Sequence, residues 1–69
     1  MSWSQKVYSS NVAEVGWDEP DQMTVSFNNG SRYIYSGVDE ETATRLANAP
    51  SVGSMLNQEI KGQYAFRKV

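Results

Sequence analysis

Cysteine and histidine are both absent. Their absence removes the disulfide framework of small secreted scaffolds and any zinc site built on thiolate or imidazole. It also removes the commonest general base and the best nucleophile at neutral pH. Long hydrophobic runs are missing too: apolar neighbours come in short groups such as Val12–Ala13 and Met55–Leu56. A spanning helix needs ~20 apolar residues and a signal peptide a central apolar stretch of ~7–15. The expectation is a cytoplasmic protein without membrane contact. Nor is there a basic excess, with Lys+Arg 6 against Asp+Glu 8 and a net charge of −2. Nucleic-acid binders usually carry a basic field, so the overall charge disfavours RNA as a partner. The signs are unevenly placed, however. Acids occupy Glu14, Asp18, Glu19, Asp21 and Asp39–Glu41, and basic residues gather late at Lys61, Arg67 and Lys68.

What is present reads as one domain over residues 1–69. A chain of this size buries only ~60% of its unfolded surface. Residues 5–9 suggest a short opening strand. Over residues 12–17 the sequence alternates, with Ala13, Val15 and Trp17 on one face and Glu14 on the other. Asp18-Glu19-Pro20-Asp21 is a turn, since proline cannot donate to a ladder. Over 22–27 the alternation is clean: Met23, Val25 and Phe27 face one way, and Gln22, Thr24 and Ser26 the other. Asn28-Asn29-Gly30 tolerates positive φ and closes a hairpin onto residues 31–36, where Tyr33, Ile34 and Tyr35 favour a strand.

Asp39 suits an N-cap, with Glu40 and Glu41 at the positive start of a helix that buries Ala43, Leu46 and Ala47. Pro50 ends that helix. Ser51 caps a second, with Val52, Met55, Leu56 and Ile60 on one face and Gly62 at its end. Residues 63–67 alternate again and place Tyr64 with Phe66. The predicted fold is α+β: a small antiparallel sheet of three to four strands (a β-meander plus a C-terminal strand) covered by two short helices. Its expected core is Val15, Trp17, Val25, Phe27, Leu46, Leu56, Ile60 and Tyr64. On that reading Phe27→Ala costs ~3–5 kcal/mol, enough to unfold so small a domain.

Certain residues form an ordered string: Ser9-Ser10-Asn11, Val15-Gly16-Trp17-Asp18, Val25-x-Phe27-x-x-Gly30-x-x-Tyr33-x-Tyr35, Val38, Ala49-x-Ser51-x-Gly53, Asn57, Ile60 and Tyr64. The string resembles the KTSC domain over roughly residues 5–69. This is a short domain found at the C-terminus of some lysyl-tRNA synthetases and as free-standing bacterial and phage proteins. The sequence departs from that pattern at Trp17, where Tyr is typical, at Asp39, where Pro is common, and at Met55–Leu56, where an aromatic pair is usual. These are apolar or cap exchanges that leave the fold expectation intact. The resemblance implies a protein of bacterial or phage type. RNA binding is the function usually suggested for such domains, from their attachment to a tRNA enzyme, and the resemblance brings no catalytic residues.

Each candidate site has a plain structural counterpart. Ser9, Ser10, Ser51 and Ser54 have no imidazole partner, and no catalytic residue, metal site or cofactor is expected. Asp18, Glu19 and Asp21 lack the spacing of a calcium loop and read as a solvated turn. Ser51, Gly53 and Ser54 open a helix and could receive the phosphate of a nucleotide-like ligand, but the segment lacks the glycines and lysine of a phosphate loop, and cap and packing roles are the favoured reading. Lys61, Arg67 and Lys68 read first as a solvated strand end. For Tyr33 and Tyr35 one residue of register decides. A two-residue Asn29–Gly30 turn exposes both as a stacking platform. A three-residue loop pairs Val25 with Tyr33 and Met23 with Tyr35 and turns both inward, and this is the favoured register because it unites the aromatic residues with Met23 and Val25. The leading expectation is a non-catalytic module that docks on a protein partner, with Trp3 and Tyr8 as anchors. An edge strand there could also pair with a second copy.

Overall fold

The computed structural model describes residues 2–69; Met1, at the start of the expected 1–69 unit, lies outside the described residues. The strands are β1 (Trp3–Lys6), β2 (Val12–Asp18), β3 (Gln22–Phe27), β4 (Arg32–Ser36) and β5 (Phe66–Lys68). Between β4 and β5 lie helices α1 (Glu40–Ala47) and α2 (Val52–Met55), the latter continued by a π-helical turn over Leu56–Ile60. The five strands form one antiparallel sheet in sequence order. Among the described residues no helix is long and apolar enough to cross a membrane.

The expected three to four strands are thus five. The first begins earlier than residue 5, because Trp3–Lys6 pairs in full with β2, from Trp3 opposite Trp17 to Lys6 opposite Glu14. One further bond, from the Val7 amide to the Ala13 carbonyl at 3.1 Å, follows before the chain turns away. The Ser9 hydroxyl accepts from the backbone N–H groups of Asn11 and Val12, a local turn that competes with strand pairing. In β2 the register shifts between Val12 and Glu14. That bulge makes Val12, not Ala13, share the buried side with Val15 and Trp17.

Between β3 and β4 the loop has three residues. The Phe27 amide donates to the Ser31 carbonyl at 2.8 Å, and Gly30 takes φ +92°, a conformation that costs glycine little. Val25 therefore faces Tyr33 and Met23 faces Tyr35. Both tyrosines turn toward the helices, and Tyr35 is buried.

The helix caps fall at the expected residues. The Asp39 carboxylate accepts from the Thr42 amide at 2.8 Å, and the Ser51 hydroxyl from the Ser54 amide at 3.4 Å. α1 buries Ala43, Leu46 and Ala47 and lies across β2. The Lys61 amide bonds the Leu56 carbonyl five residues back, which closes the π turn.

The core holds Val15, Trp17, Val25, Leu46, Leu56 and Ile60 as expected, together with Val12, Met23, Tyr35, Val38, Ala43, Ala47 and Val52. Phe27 and Tyr64 are corrections to the expected core, since both are only partly buried and pack on its margin. Phe27 sits at the last position of β3, where the helices no longer cover the sheet. The last strand spans Phe66–Lys68 rather than 63–67, since Gln63 is still tied to Ile60 by its amide.

Candidate functional site

Four rings from three strands line an open cleft on the helix side of the sheet. They are Phe27 at the end of β3, Tyr33 and Tyr35 on β4 and Phe66 on β5. Alternation within each strand and the antiparallel register put all four on one face. Phe27 meets Tyr33 edge-on at 5.6 Å between centroids, and Tyr33 and Tyr35 lie 5.6 and 5.7 Å from Phe66 at tilted angles. Such separations suit aromatic pairs. The cleft encloses about 460 Å³ and is completed by Asn29, Ser31 and Lys61. The Lys61 ammonium lies 5.9 Å from the centre of the Phe27 ring, within cation–π range. Phe66 keeps 59% of its surface exposed although it lies against two tyrosines. Burial pushes the Tyr35 phenol above its ordinary pKa, and the neighbouring Tyr33 adds to the shift.

Charge is sorted along the strands. Lys6 faces Glu14, which faces Ser26, which faces Arg32. Lys68 pairs with Tyr33 next to Arg32, so Lys6, Arg32 and Lys68 share one end of the sheet, and Lys61 overhangs it. Glu14 lies at that end as well, opposite Lys6. At the other end lie Asp18, Glu19 and Asp21 in the β2–β3 turn, and Asp39, Glu40 and Glu41 at the start of α1. The two acidic groups are joined where the Val38 amide bonds the Asp21 carbonyl. The aromatic cleft is lined by no carboxylate.

The other candidates are dispersed. Trp3 is half-buried: it lies opposite Trp17, packs on the core and donates its indole N–H to Glu40 at 3.1 Å. Tyr8 is fully exposed in the β1–β2 connection. Ser51, Gly53 and Ser54 line a separate polar hollow with Ser9, Ser10, Asn11 and Asn57, and Tyr8 stands at its margin. The Ser51 and Ser54 hydroxyls are bonded to each other at 3.0 Å, and no lysine or arginine lines the hollow. Arg67 lies opposite Ile34 on the far face of the sheet, away from the cleft. That far face carries Gly16, Thr24, Ser26, Arg32 and Ile34 over β2–β4 and none of the four rings.

Sequence reasoning brought Tyr33, Tyr35 and Lys61 to the site but missed Phe27 and Phe66. The signal was the alternation ending at Phe66, whose strand falls beside β4 only once β5 pairs there.

A five-stranded antiparallel meander with two short helices between its last strands, and an aromatic cleft beside its last edge, defines a small α+β domain. The KTSC domain family matches residues 8–64, and the chain belongs to that family. It is similar to a KTSC domain protein from Yersinia pestis of known crystal structure, with 30% identity, a TM-score of 0.87 and coverage of 100% of this chain and 99% of that one. None of the curated proteins matches the chain.

Proposed function

We propose that the chain is a non-catalytic interaction module of bacterial or phage type, working in the cytoplasm, that docks on a protein partner through the aromatic cleft. The observation that carries this reading is Phe66. It is a large ring, mostly exposed, held in fixed geometry against Tyr33 and Tyr35 at the mouth of a cleft. Exposed aromatic surface rimmed by polar groups is characteristic of interaction sites, and aromatic side chains dominate interface energetics. Trp3 contributes to the fold through Glu40 and the core, so the anchor role passes from Trp3 to the cleft rings. The absence of histidine and cysteine supports binding over catalysis.

RNA binding is the second reading. Basic residues Arg32, Lys61 and Lys68 gather at the cleft end of the sheet, and bases stack on aromatic rings. The cleft rings pack edge-on or tilted against one another, an arrangement less suited to stacking successive bases. A nucleotide-like ligand at Ser51–Ser54 is the third reading, and the pairing of those two hydroxyls with each other weighs against it.

The test compares the parent chain with Phe66→Ser in affinity capture, beside an RNA titration at low salt and a nucleotide melting panel. Docking predicts a partner captured by the parent chain and lost with Phe66→Ser, without sub-micromolar RNA affinity. Capture unaffected by Phe66→Ser, or a nucleotide-dependent melting shift with no protein captured, refutes it.

A further inference from the structure

We propose that the free edge of β5 receives an extended acidic segment of another protein by strand addition, with an apolar or aromatic side chain of that segment entering the cleft. This rests on the docking reading above and names the chemistry of its partner.

The ladder fixes which groups are free. The Ser36 amide donates to the Ala65 carbonyl and the Val69 amide to the Arg32 carbonyl, both at 2.9 Å. Backbone groups alternate in direction along an antiparallel strand. Residues 65, 67 and 69 therefore address β4, and Phe66 and Lys68 point their N–H and C=O away from the sheet. β5 is the last strand in the order, so that edge is open. The side chains of Phe66 and Lys68 lie on the cleft side, opposite Tyr35 and Tyr33. A strand added here would run ~4.8 Å from β5 and place every second side chain on that side. Backbone pairing and a specificity pocket thus lie side by side, the arrangement used in strand-addition recognition.

Charge selects the occupant. Lys68 is in the edge itself, Arg67 beside it, Arg32 on the next strand and Lys61 over the cleft. None of the four is in an ion pair among the described residues. Six acids lie at the opposite end of the sheet. An acidic segment is matched to this edge. A second copy added through the same edge is not, because two-fold pairing about Arg67 sets that arginine against its own copy and brings the Lys68 side chains close.

The test uses a terminally blocked peptide with a Val-Phe-Val centre and Asp and Glu on both flanks, and an analogue with Lys on both flanks. Binding is followed by amide NMR. The acidic peptide should slow hydrogen exchange at Phe66 and Lys68, move the signals of Tyr33 and Tyr35, and bind about tenfold or more tighter than the lysine analogue, with the gap closing in high salt. Compared with Lys68→Gln, which loses the same charge but keeps the backbone donor, Lys68→Pro removes only an outward N–H, which an edge strand tolerates. It should leave the melting temperature unchanged and weaken binding about tenfold. Equal binding of the two peptides, unaltered exchange at Phe66 and Lys68, or concentration-dependent protection of β5 with dimer sedimentation each overturn the proposal. If Phe66→Ser abolishes peptide binding while Lys68→Pro leaves it intact, strand addition fails and cleft docking stands. If the peptides leave Tyr33 and Tyr35 unmoved and a captured partner ignores Phe66→Ser, both fail.

Discussion

Met23 faces Trp17 on one side and Tyr35 on the other, and none of it reaches solvent. Truncating such a side chain loses its transfer energy and leaves a cavity, so Met23→Ala should cost ~2–5 kcal/mol in urea unfolding. Phe27, at the open end of the same strand, is only partly buried. Phe27→Ala should therefore cost less than Met23→Ala and leave a cooperative fold; the reverse order would place the core at the wrong end of β3. Trp17 is buried and donates its indole N–H to the Val38 carbonyl at 2.9 Å. Trp17→Phe keeps an aromatic ring but strands that carbonyl, an expected loss of ~1–3 kcal/mol. Tyr35 titrates above its ordinary value because it is buried. Its contribution is therefore complete below the ordinary phenol pKa of about 10 and is lost as pH rises through the raised one. Alkaline unfolding should move to higher pH in Tyr35→Phe, and an unchanged midpoint would contradict the assignment.

At the scale of elements, the start of α1 is fixed by Asp39. The Thr42 hydroxyl and amide hold its carboxyl below the ordinary carboxylate range. The stability this cap contributes is complete above the ordinary pKa and disappears as pH falls through the lowered one. Asp39→Ser keeps an acceptor without the charge, so it should lose less stability than the parent between neutral pH and strong acid. Equal acid sensitivity would remove Asp39 from the account. β1 is held close to β2 at Gly16, where an added Cβ would come within 3.3 Å of the Trp3 carbonyl. Gly16→Val should loosen β1 selectively, seen as faster hydrogen exchange at the Trp3–Lys6 pairings. The caps, the hairpin register and β3 were legible because each rests on local chemistry: a side-chain acceptor, a glycine at positive φ, strict alternation. The bulge at Ala13 was not, since Val12 and Ala13 are both apolar and only the packing against Phe27 on β3 chooses between them. β1 was misplaced because Trp3–Lys6 has little alternation of its own and is strand only through pairing with β2. The cleft was half legible: Tyr33 and Tyr35 followed from the hairpin, whereas Phe27 and Phe66 stand 39 positions apart in sequence and meet only through β4.

Over the whole molecule, strand register converts scattered charges into two poles, and the aromatic cleft opens at the basic one. A net charge of −2 conceals this, which is why composition alone turned attention from that end. The account stands on the cleft being the contact face. The measurement that reaches this most directly is site-specific photocrosslinking in the cytoplasm of a bacterial host. A benzophenone side chain is placed in turn at Phe66 in the cleft, at Ile34 on the far face and at Tyr8 beside the polar hollow. The account predicts a discrete protein adduct from position 66 and none from positions 34 or 8. Adducts from 34 or 8 with none from 66 would contradict it.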